Sequence, residues 1–545
     1  MTTGDDPNMA LYKAIAVALG VTLMSTAPDT GHTQGRADVL IAVGEQGPSS
    51  LDTHNPVAND YTRLVAWNVY DRLVKHGMKT LDDGTTAYDI TVMEPELATS
   101  WEISEDGKMY TFNLRQDATF HDGTPVTAED VRWSFERAVA AGGFPAIQMG
   151  ASFFLEKEQF EALDDHTFRI HMPTPNKYVM ANLTVPIPVI VNKTLALKHA
   201  TDDDPYAFEW TSRNDAGGGA FKVARWNSGE ELVLERFDDW KSGELPSMKT
   251  VVYRQIPAAG TRRALVEKGD ADISIDLPPK DFSEMDAADD VNVVGVPVQS
   301  SVVYVEMNTK LAPFDDERVR KAIAYALPYD DIMASAYYQR AIPMYGAKDV
   351  AAYPPVWPTP SPYYTDIEKA KALLVEAGYP DGFETELYYD ISRGTIREPM
   401  AILIKEKLAE IGIEVTIQKV PGANWFSKML EKSMPMVIAS FYAWLDWPEY
   451  HFYWHYHGGN NSIFNAANYT NDELDSVIDK ARVTSEISER EAYDALISEM
   501  NKIVMDEVPK APLARNYLDV AMQPNVGGYK YWFHTQLDFR SLTKN

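Results

Sequence analysis

At 545 residues, 45% of them hydrophobic, the chain is too long for one compact core, so two or three domains are expected. Its 50 basic and 80 acidic residues give a formal charge of −30, which argues against nucleic-acid binding and peripheral membrane binding. The absence of cysteine excludes disulfides, thiolate metal sites, cysteine nucleophiles and a lipid anchor on an N-terminal cysteine.

The first residues, 1–37, predict a signal peptide and leader. Lys13 precedes an apolar run at 14–24, and three small residues follow this run. The run is too short to span a bilayer, which needs about 20 apolar residues. Two aspartates near the start have the wrong charge for a signal, and translation from Met9 would remove them. We therefore expect export to the periplasm and a mature chain that begins at or before residue 38.

The next part of the chain predicts a strand, a helix and a hairpin-rich unit. The apolar run at 39–43 indicates a strand, and the pattern at 64–74 indicates a helix. Two hairpins should turn at 105–108 and 164–166, and Thr-Ala-Glu-Asp at 127–130 is typical of a helix capping box. These elements predict a small α+β unit inserted into the first domain.

The second half has the pattern of a βαβ unit. After a glycine turn at 217–219 and two strands at 221–226 and 231–237, alternating residues at 383–389 and 413–417 flank a helix at 396–411. Two strands joined in this way should be parallel, with a right-handed crossover. Further helices should start at the capping motifs 365–368, 470–473 and 488–491.

Several segments resemble the family 5 extracellular solute-binding proteins, a group with dipeptide-, oligopeptide- and nickel-binding members. The most specific is Phe-His-Asp-Gly-Thr-Pro-Val-Thr-Ala-Glu-Asp-Val at 120–131, followed by Ser-Phe-Glu at 134–136. The other matching segments keep the order of the family and lie at 96–101, 111–115, 217–221, 234–240, 269–273, 308–310, 313–322 and 370–379.

The resemblance implies an α/β, two-lobed periplasmic binding protein fold with an extra α+β subdomain inserted in the first lobe. It places the first lobe at 38–74, 215–303 and 514–545, the inserted subdomain at 75–214 and the second lobe at 304–513. It also implies a small-molecule ligand between the lobes and an ABC permease of the inner membrane as partner. We expect a monomer with no cofactor and no nucleic acid.

The candidate ligand wall follows an apolar run at 436–439, which predicts a buried strand. Ligands of open α/β sheets bind beyond the carboxyl ends of strands. Nine of the sixteen residues at 441–456 are aromatic, against 11% of the whole chain. The resemblance implies that an aspartate here pairs with the α-ammonium of the ligand, and Asp446 is the matching residue. The rings of Tyr442, Trp444 and Trp447 are the candidates for added cation–π attraction.

Other interpretations of these residues stay open. Asp446 could be a structural acid that caps a turn, because the following Trp-Pro-Glu-Tyr departs from the usual family sequence. A shift of a few residues would align it with a later acid of the family. Histidines 451, 455 and 457 lie close to Glu449, but without an HExxH motif packing is their commoner use, and no metal is predicted. On the first lobe, spacing alone selects Asn59 and Asp60.

Binding without chemistry, with import as the outcome, is the predicted function, and the chain is not expected to be an enzyme. The ligand would be peptide-like or another amine-bearing molecule. An exported hydrolase is one alternative, but neither GxSxG nor SxxK with its partner motifs is present. A sensory protein that delivers its ligand to a receptor is another, and it would use the same closed form.

Overall fold

The computed structural model describes residues 37–545, except 289, 348–352, 533, 535 and 536. The predicted signal peptide lies outside the described residues. None of the helices within these ranges combines the length and hydrophobicity that a membrane span requires.

The part of the chain before residue 301 alternates between strands and mostly short helices. Its strands are β1 Val39–Gly44, β2 Val74–Thr80, β3 Thr86–Pro95, β4 Ala98–Ile103, β5 Met109–Leu114, β6 Phe160–Asp164, β7 Thr167–His171, β8 Phe221–Asn227, β9 Glu231–Arg236, β10 Thr250–Gln255, β11 Ile273–Ser274 and β12 Asn292–Pro297. Its α-helices are α1 Asp60–Val69, α2 Ala128–Ala140, α3 Gly143–Gly150, α4 Val179–Asn182, α5 Lys193–Ala196, α6 Phe208–Thr211, α7 Ala259–Glu267 and α8 Pro279–Ala288, with 3₁₀ turns at Lys157–Gln159 and Leu197–His199.

The part from residue 301 onward has longer helices. Its strands are β13 Ser301–Met307, β14 Ala341–Pro343, β15 Phe383–Asp390, β16 Ile413–Val420, β17 Met436–Tyr442, β18 Lys510–Met522, β19 Val526–Gly527, β20 Lys530–Tyr531 and β21 Thr543–Lys544. Its α-helices are α9 Glu317–Ala326, α10 Tyr329–Ser335, α11 Ile367–Glu376, α12 Gly394–Ala409, α13 Gly422–Glu431, α14 Pro448–His455, α15 Asp472–Val483 and α16 Arg490–Glu507, with 3₁₀ turns at Ile391–Arg393 and Gly458–Asn460.

One long strand, β18, takes part in both lobes. Residues up to Asn516 pair with β13 and β14, whereas residues from Tyr517 pair with β12 and β11. The neighbouring strands of this sheet follow the order β16-β15-β17-β13-β18-β11-β1-β10-β9-β8. The chain therefore passes between the lobes at 298–300, which join β12 to β13, and at 515–517 within β18. We call these two segments the lobe crossing; the exact domain boundaries stay predictions.

The inserted subdomain is built as the hairpins and the capping box predict. Strands β4, β5, β7 and β6 form an antiparallel sheet in that order. The side chain of Thr127 caps α2 and exchanges hydrogen bonds with Asp130. Phe112, Phe135 and Phe168 are fully buried between α2 and this sheet, with 5.2 Å between the rings of Phe135 and Phe168. Aromatic burial thus fixes the helix on the sheet.

The predicted βαβ unit of the second lobe is confirmed. Strands β15 and β16 are parallel, with Phe383 opposite Ile413. Helix α12 connects them and buries Met400, Ile404 and Leu408 against the sheet. The helical spacing of these apolar residues is what places this face of α12 on the core.

The predicted helix at 64–74 is wrong at both ends. Helix α1 begins at Asp60 and ends at Val69, because Tyr70 takes an extended conformation and Val74 already belongs to β2. The glycine turn that follows the inserted subdomain packs against this helix end. A Cβ atom on Gly217 would lie 2.1 Å from the carbonyl oxygen of Val69, so only glycine allows this approach.

The N-cap of α11 also differs from the prediction. Asp366 caps the helix instead of Thr365, because its carboxylate accepts a hydrogen bond from the backbone N–H of Lys369 at 3.0 Å.

Candidate ligand-binding cleft

Asp446 lies in the turn between β17 and α14, beyond the carboxyl end of a buried strand. Its side chain is half-buried and accepts a short hydrogen bond from the Ser300 hydroxyl, and the Tyr88 hydroxyl lies 3.4 Å from Oδ2. Burial raises the pKa of Asp446, although both hydroxyls oppose this shift. Within the described ranges Asp446 belongs to no ion pair, and Lys79 and Arg515 act on it only from a greater distance. The carboxylate thus has hydroxyl donors but no adjacent cation.

The surroundings of Asp446 belong to the lobe crossing. Ser300 has a left-handed backbone with φ of 51° and joins β12 to β13. Next to it, the backbone N–H of Gln299 donates to the Tyr531 hydroxyl at 3.3 Å. Asp446 therefore contacts the segment that must bend when the lobes move. This position suits a ligand contact, and it equally suits an acid that stabilises the crossing.

The three predicted rings occupy different environments. Trp444 is 7% exposed and packs between the lobes, under the Arg63 guanidinium at 4.5 Å and edge-on to Phe144 at 4.7 Å. Trp447 lies edge-on to Tyr178 of the inserted subdomain at 5.4 Å. Only Tyr442 lies beside the lobe crossing: its hydroxyl accepts a hydrogen bond from Asn516 at 3.1 Å.

Asn59 and Asp60 are adjacent in the chain, but their side chains make different kinds of contact. The Asn59 side chain caps α1 by accepting from the Thr62 N–H at 3.0 Å, and its amide donates to the Gly47 carbonyl at 2.9 Å. Asp60 pairs with Arg63 at 2.6 Å and with Arg393 of the second lobe at 3.5 Å. Arg63, and to a lesser extent Arg393, lower the pKa of Asp60. Asp60 therefore lies on the cleft, whereas the amide of Asn59 is occupied by local structure.

Two arginines on the second-lobe wall were not predicted from the sequence. Arg393 ends the 3₁₀ turn after β15, and Arg397 lies one helical turn later in α12. Arg397 is 7% exposed and donates to the Ser440 hydroxyl at 2.8 Å, yet it belongs to no ion pair of the described chain. Burial, together with the nearby Arg393, lowers the pKa of Arg397 to about 10. The sequence did contain an indication of this pair, because two arginines four residues apart share one face of a helix and follow directly after a predicted strand.

Acidic and phenolic groups of the first lobe face these arginines. Asp276 follows β11 and accepts from the Tyr61 hydroxyl at 2.7 Å and from the backbone N–H of Glu45 at 3.3 Å. Burial would lower the pKa of Arg393, but Tyr442, Asp60 and Asp276 outweigh it and raise that pKa. In this part of the cleft, acidic groups of the first lobe therefore face two arginines of the second lobe.

The histidines of the aromatic segment pack in the second lobe. His451 and His455 are buried and stack at 4.6 Å; His451 lies 2.9 Å from the Tyr304 hydroxyl, and Lys510 donates to His455 at 2.8 Å. Burial and the Lys510 charge hold the pKa of both imidazoles well below the usual value. In the described part of the chain no group of three His, Cys, Asp or Glu side chains could hold a metal ion.

A second concave surface lies between the inserted subdomain and the second lobe. It has a volume of about 430 Å³ and is mostly apolar. Tyr178 and residues of α3 line one side, and Tyr450, Trp454 and Arg482 line the other. We call it the side groove.

Comparisons with known proteins agree on one family. Residues 92–463 match the family described as "Bacterial extracellular solute-binding proteins, family 5 Middle". The probable D,D-dipeptide-binding periplasmic protein DdpA of Escherichia coli K12 is 28% identical over 515 residues, which cover 93% of this chain and 94% of that protein. The glutathione-binding protein GsiB of Pectobacterium atrosepticum is 25% identical over 507 residues, which cover 89% of each.

A solved structure extends this agreement to the fold. The ABC transporter-associated periplasmic binding protein DppA of Helicobacter pylori, in complex with the peptide STSA, superposes with a TM-score of 0.76 at 26% identity. The superposition covers 93% of this chain and 98% of that one. The predicted α/β two-lobed fold is confirmed, and so is the predicted function as the substrate-binding component of an ABC importer. This chain belongs to the bacterial extracellular solute-binding proteins of family 5.

Proposed function

We propose that this protein captures a peptide-like zwitterion between its lobes in the periplasm and delivers it to an ABC permease of the inner membrane. One observation carries the proposal: the described cleft presents a carboxylate and a guanidinium that both lack an ionic partner. These groups are Asp446 and Arg397. Arg397 is buried and Asp446 is half-buried. Because a charged group removed from water without a counter-ion costs free energy, a ligand with both charges would satisfy two groups at once.

The ammonium end of the ligand would bind at Asp446. The Ser300 and Tyr88 hydroxyls already hold its two carboxylate oxygens, so little rotamer freedom would be lost on binding. A charge-assisted hydrogen bond in a site that excludes water is about twice as strong as a neutral one. Tyr442 is the candidate ring closest to the lobe crossing and would supply the aromatic face.

The carboxylate end would bind at Arg393 and Arg397. A guanidinium forms planar, bidentate hydrogen bonds with carboxylates, and two of them one helical turn apart can bind one carboxylate together. Arg393 now pairs weakly with Asp60 across the cleft at 3.5 Å, so a ligand carboxylate would replace this contact. Dipeptides, glutathione and short peptides, which the names of the relatives specify, all carry an ammonium and a carboxylate.

The remaining expectations complete the proposal. The lobes would comprise 38–74, 215–303 and 514–545 for the first, and 304–513 for the second. The protein would act as a monomer and would bind its ligand without chemical change. Delivery to a receptor instead of a permease would use the same site.

The identity of the natural ligand tests this proposal. Protein purified from the periplasm would be denatured, and the released small molecules would be identified by mass spectrometry. We expect a compound with at least one amine and one carboxylate, which binds again to the stripped protein in isothermal titration calorimetry. A bound compound without an amine would contradict the role of Asp446, and one without an acidic group would contradict the role of the arginines.

A further inference from the structure

Lys177 of the inserted subdomain makes an ion pair and two hydrogen bonds with the second lobe. Its Nζ lies 2.6 Å from Oε1 of Glu449 at the start of α14. The same ammonium donates to the backbone carbonyls of Ala481 and Thr484, each at 3.1 Å. These carbonyls belong to the last turn of α15 and its C-cap, where the helix dipole is negative. One side chain therefore binds two elements of the second lobe.

Glu449 is fully buried and receives donors from both sides of the interface. The Tyr178 hydroxyl of the inserted subdomain donates to Oε1 at 3.0 Å, and the Tyr493 hydroxyl of α16 donates to Oε2 at 2.6 Å. Lys177 also lies 4.6 Å from the centre of the Tyr493 ring. We call Lys177, Tyr178, Glu449 and Tyr493 the latch. With Lys177 removed, Glu449 would remain as a buried charge without a counter-ion.

The latch lies beside the ligand-binding turn without belonging to it. Trp447 is adjacent to Asp446 in the chain, packs on Tyr178 of the latch and donates to Glu486, the second carboxylate near Lys177. The side groove opens on the other side of the latch and shares Tyr178 with it. The latch is the polar part of a contact that is otherwise apolar, because Trp444 and Tyr450 of the second lobe belong to the buried apolar cluster of the inserted subdomain.

We propose that the latch stabilises the closed form and thereby sets ligand affinity, with Lys177 as a positioning residue that does not touch the ligand. The inserted subdomain is continuous with the first lobe, and the backbone connects the lobes only at the lobe crossing within the described chain. Opening of the cleft would therefore separate Lys177 from Glu449. A ligand that binds the closed form has an apparent affinity proportional to the closed fraction. The inference rests on the proposed function only for this last step.

The distance across the latch tests the inference without any ligand. Because the chain has no cysteine, two spin labels can be placed uniquely at the exposed positions Lys157→Cys and Glu491→Cys. Double electron–electron resonance would then measure the separation of the inserted subdomain and α16. We expect Lys177→Met to shift the ligand-free distribution towards longer distances and Lys177→Arg to restore most of the short-distance population.

Two further variants make the test specific. Lys108→Met is the matched control, because Lys108 is an exposed lysine in a hairpin turn of the same subdomain. Glu449→Gln keeps the shape of the buried side chain and removes its charge, so it should also lengthen the distance if Lys177→Met folds poorly. The probe for affinity is D-alanyl-D-alanine, and Lys177→Met should raise its Kd about tenfold.

The distance measurements test the latch, and the binding measurements test the proposed function, so failure of one can be told from failure of the other. Unchanged distance distributions in folded Lys177→Met and Glu449→Gln would overturn the latch, even if both variants melted at lower temperature. Failure of D-alanyl-D-alanine to bind the wild-type protein would argue against this ligand class, while the ligand-free distances would still decide for or against the latch.

Discussion

Replacement of Asp446 by asparagine should abolish most of the affinity for an amine-bearing ligand while leaving the fold intact. Truncation of one partner of a buried, hydrogen-bonded charge pair costs about 2–5 kcal/mol. Asp446 is only half-buried, and asparagine can keep the contacts with Ser300 and Tyr88, so we expect the lower part of this range. A loss of about 2–3 kcal/mol corresponds to a Kd that is roughly 30- to 150-fold higher.

The role of Asp446 also predicts the direction in which ligand affinity changes with pH. Burial raises the pKa of Asp446, so in the free protein this carboxylate takes up a proton at a higher pH than an ordinary aspartate. An ammonium ligand binds the ionised form, so wild-type affinity should fall as the pH is lowered through this raised pKa. Isothermal titration calorimetry with D-alanyl-D-alanine over a pH series should show this fall for the wild type and not for Asp446→Asn.

Stability measurements complete the test of Asp446. Because burial disfavours the charged form, removal of the charge should not lower the melting temperature. Asp82→Asn, an exposed acid in the β2–β3 turn, is the matched control and should change neither affinity nor stability. If Asp446→Asn binds normally but melts early, the acid stabilises the lobe crossing and the ligand need not be cationic.

Three other predictions concern Arg397, His54 and export. Arg397→Gln should raise the Kd for a dipeptide about 10- to 100-fold but leave the weaker binding of its C-terminal amide nearly unchanged in calorimetry, because only the carboxylate pairs with the guanidinium; equal losses for both would contradict this. His54 is fully buried, and burial and Arg137 lower its pKa to about 4, below the unfolded value of 6.5. Its neutral form is therefore favoured in the folded state, so the free energy of unfolding should fall by about 3 kcal/mol between pH 7.5 and 4, and His54→Gln should flatten this part of a urea-denaturation profile; an unchanged slope would refute it. Expressed with its own leader, the protein should be recovered from the periplasm with an N-terminus between residues 28 and 38 by N-terminal sequencing, and an uncleaved cytoplasmic chain would refute the export prediction.

Local patterns in the sequence were sufficient for most of the regular structure. The hairpins of the inserted subdomain, the capping box at Thr127 and the parallel pair β15 and β16 all follow from periodicity and turn chemistry over a few residues. The predicted helix at 64–74 failed because its apolar pattern continues past Val69 into β2. The glycine turn at 217–219 packs against the helix end at Val69, and this contact comes from a segment about 150 residues away that the local pattern cannot indicate.

The cleft was less accessible to sequence reasoning because it is formed by distant segments. Asp446 stood out through the aromatic residues around it, but its partners Ser300 and Tyr88 lie 146 and 358 residues away in the chain. Arg393 and Arg397 lie at a helix start whose sequence is also typical of an exposed surface, and the contact of Arg393 with Asp60 appears only in the folded structure. The role of Asn59 was also hidden, since a helix cap and a ligand contact use the same amide.

Lobe closure on a zwitterionic ligand is the central claim, and small-angle X-ray scattering measures it most directly. Protein stripped of ligand by unfolding and refolding would be titrated with D-alanyl-D-alanine, with calorimetry on the same sample to establish saturation. We predict a smaller radius of gyration at saturation, and no such change with the diketopiperazine of the same dipeptide, which lacks both charges. A radius of gyration that stays constant although calorimetry shows full occupancy would contradict capture between two closing lobes.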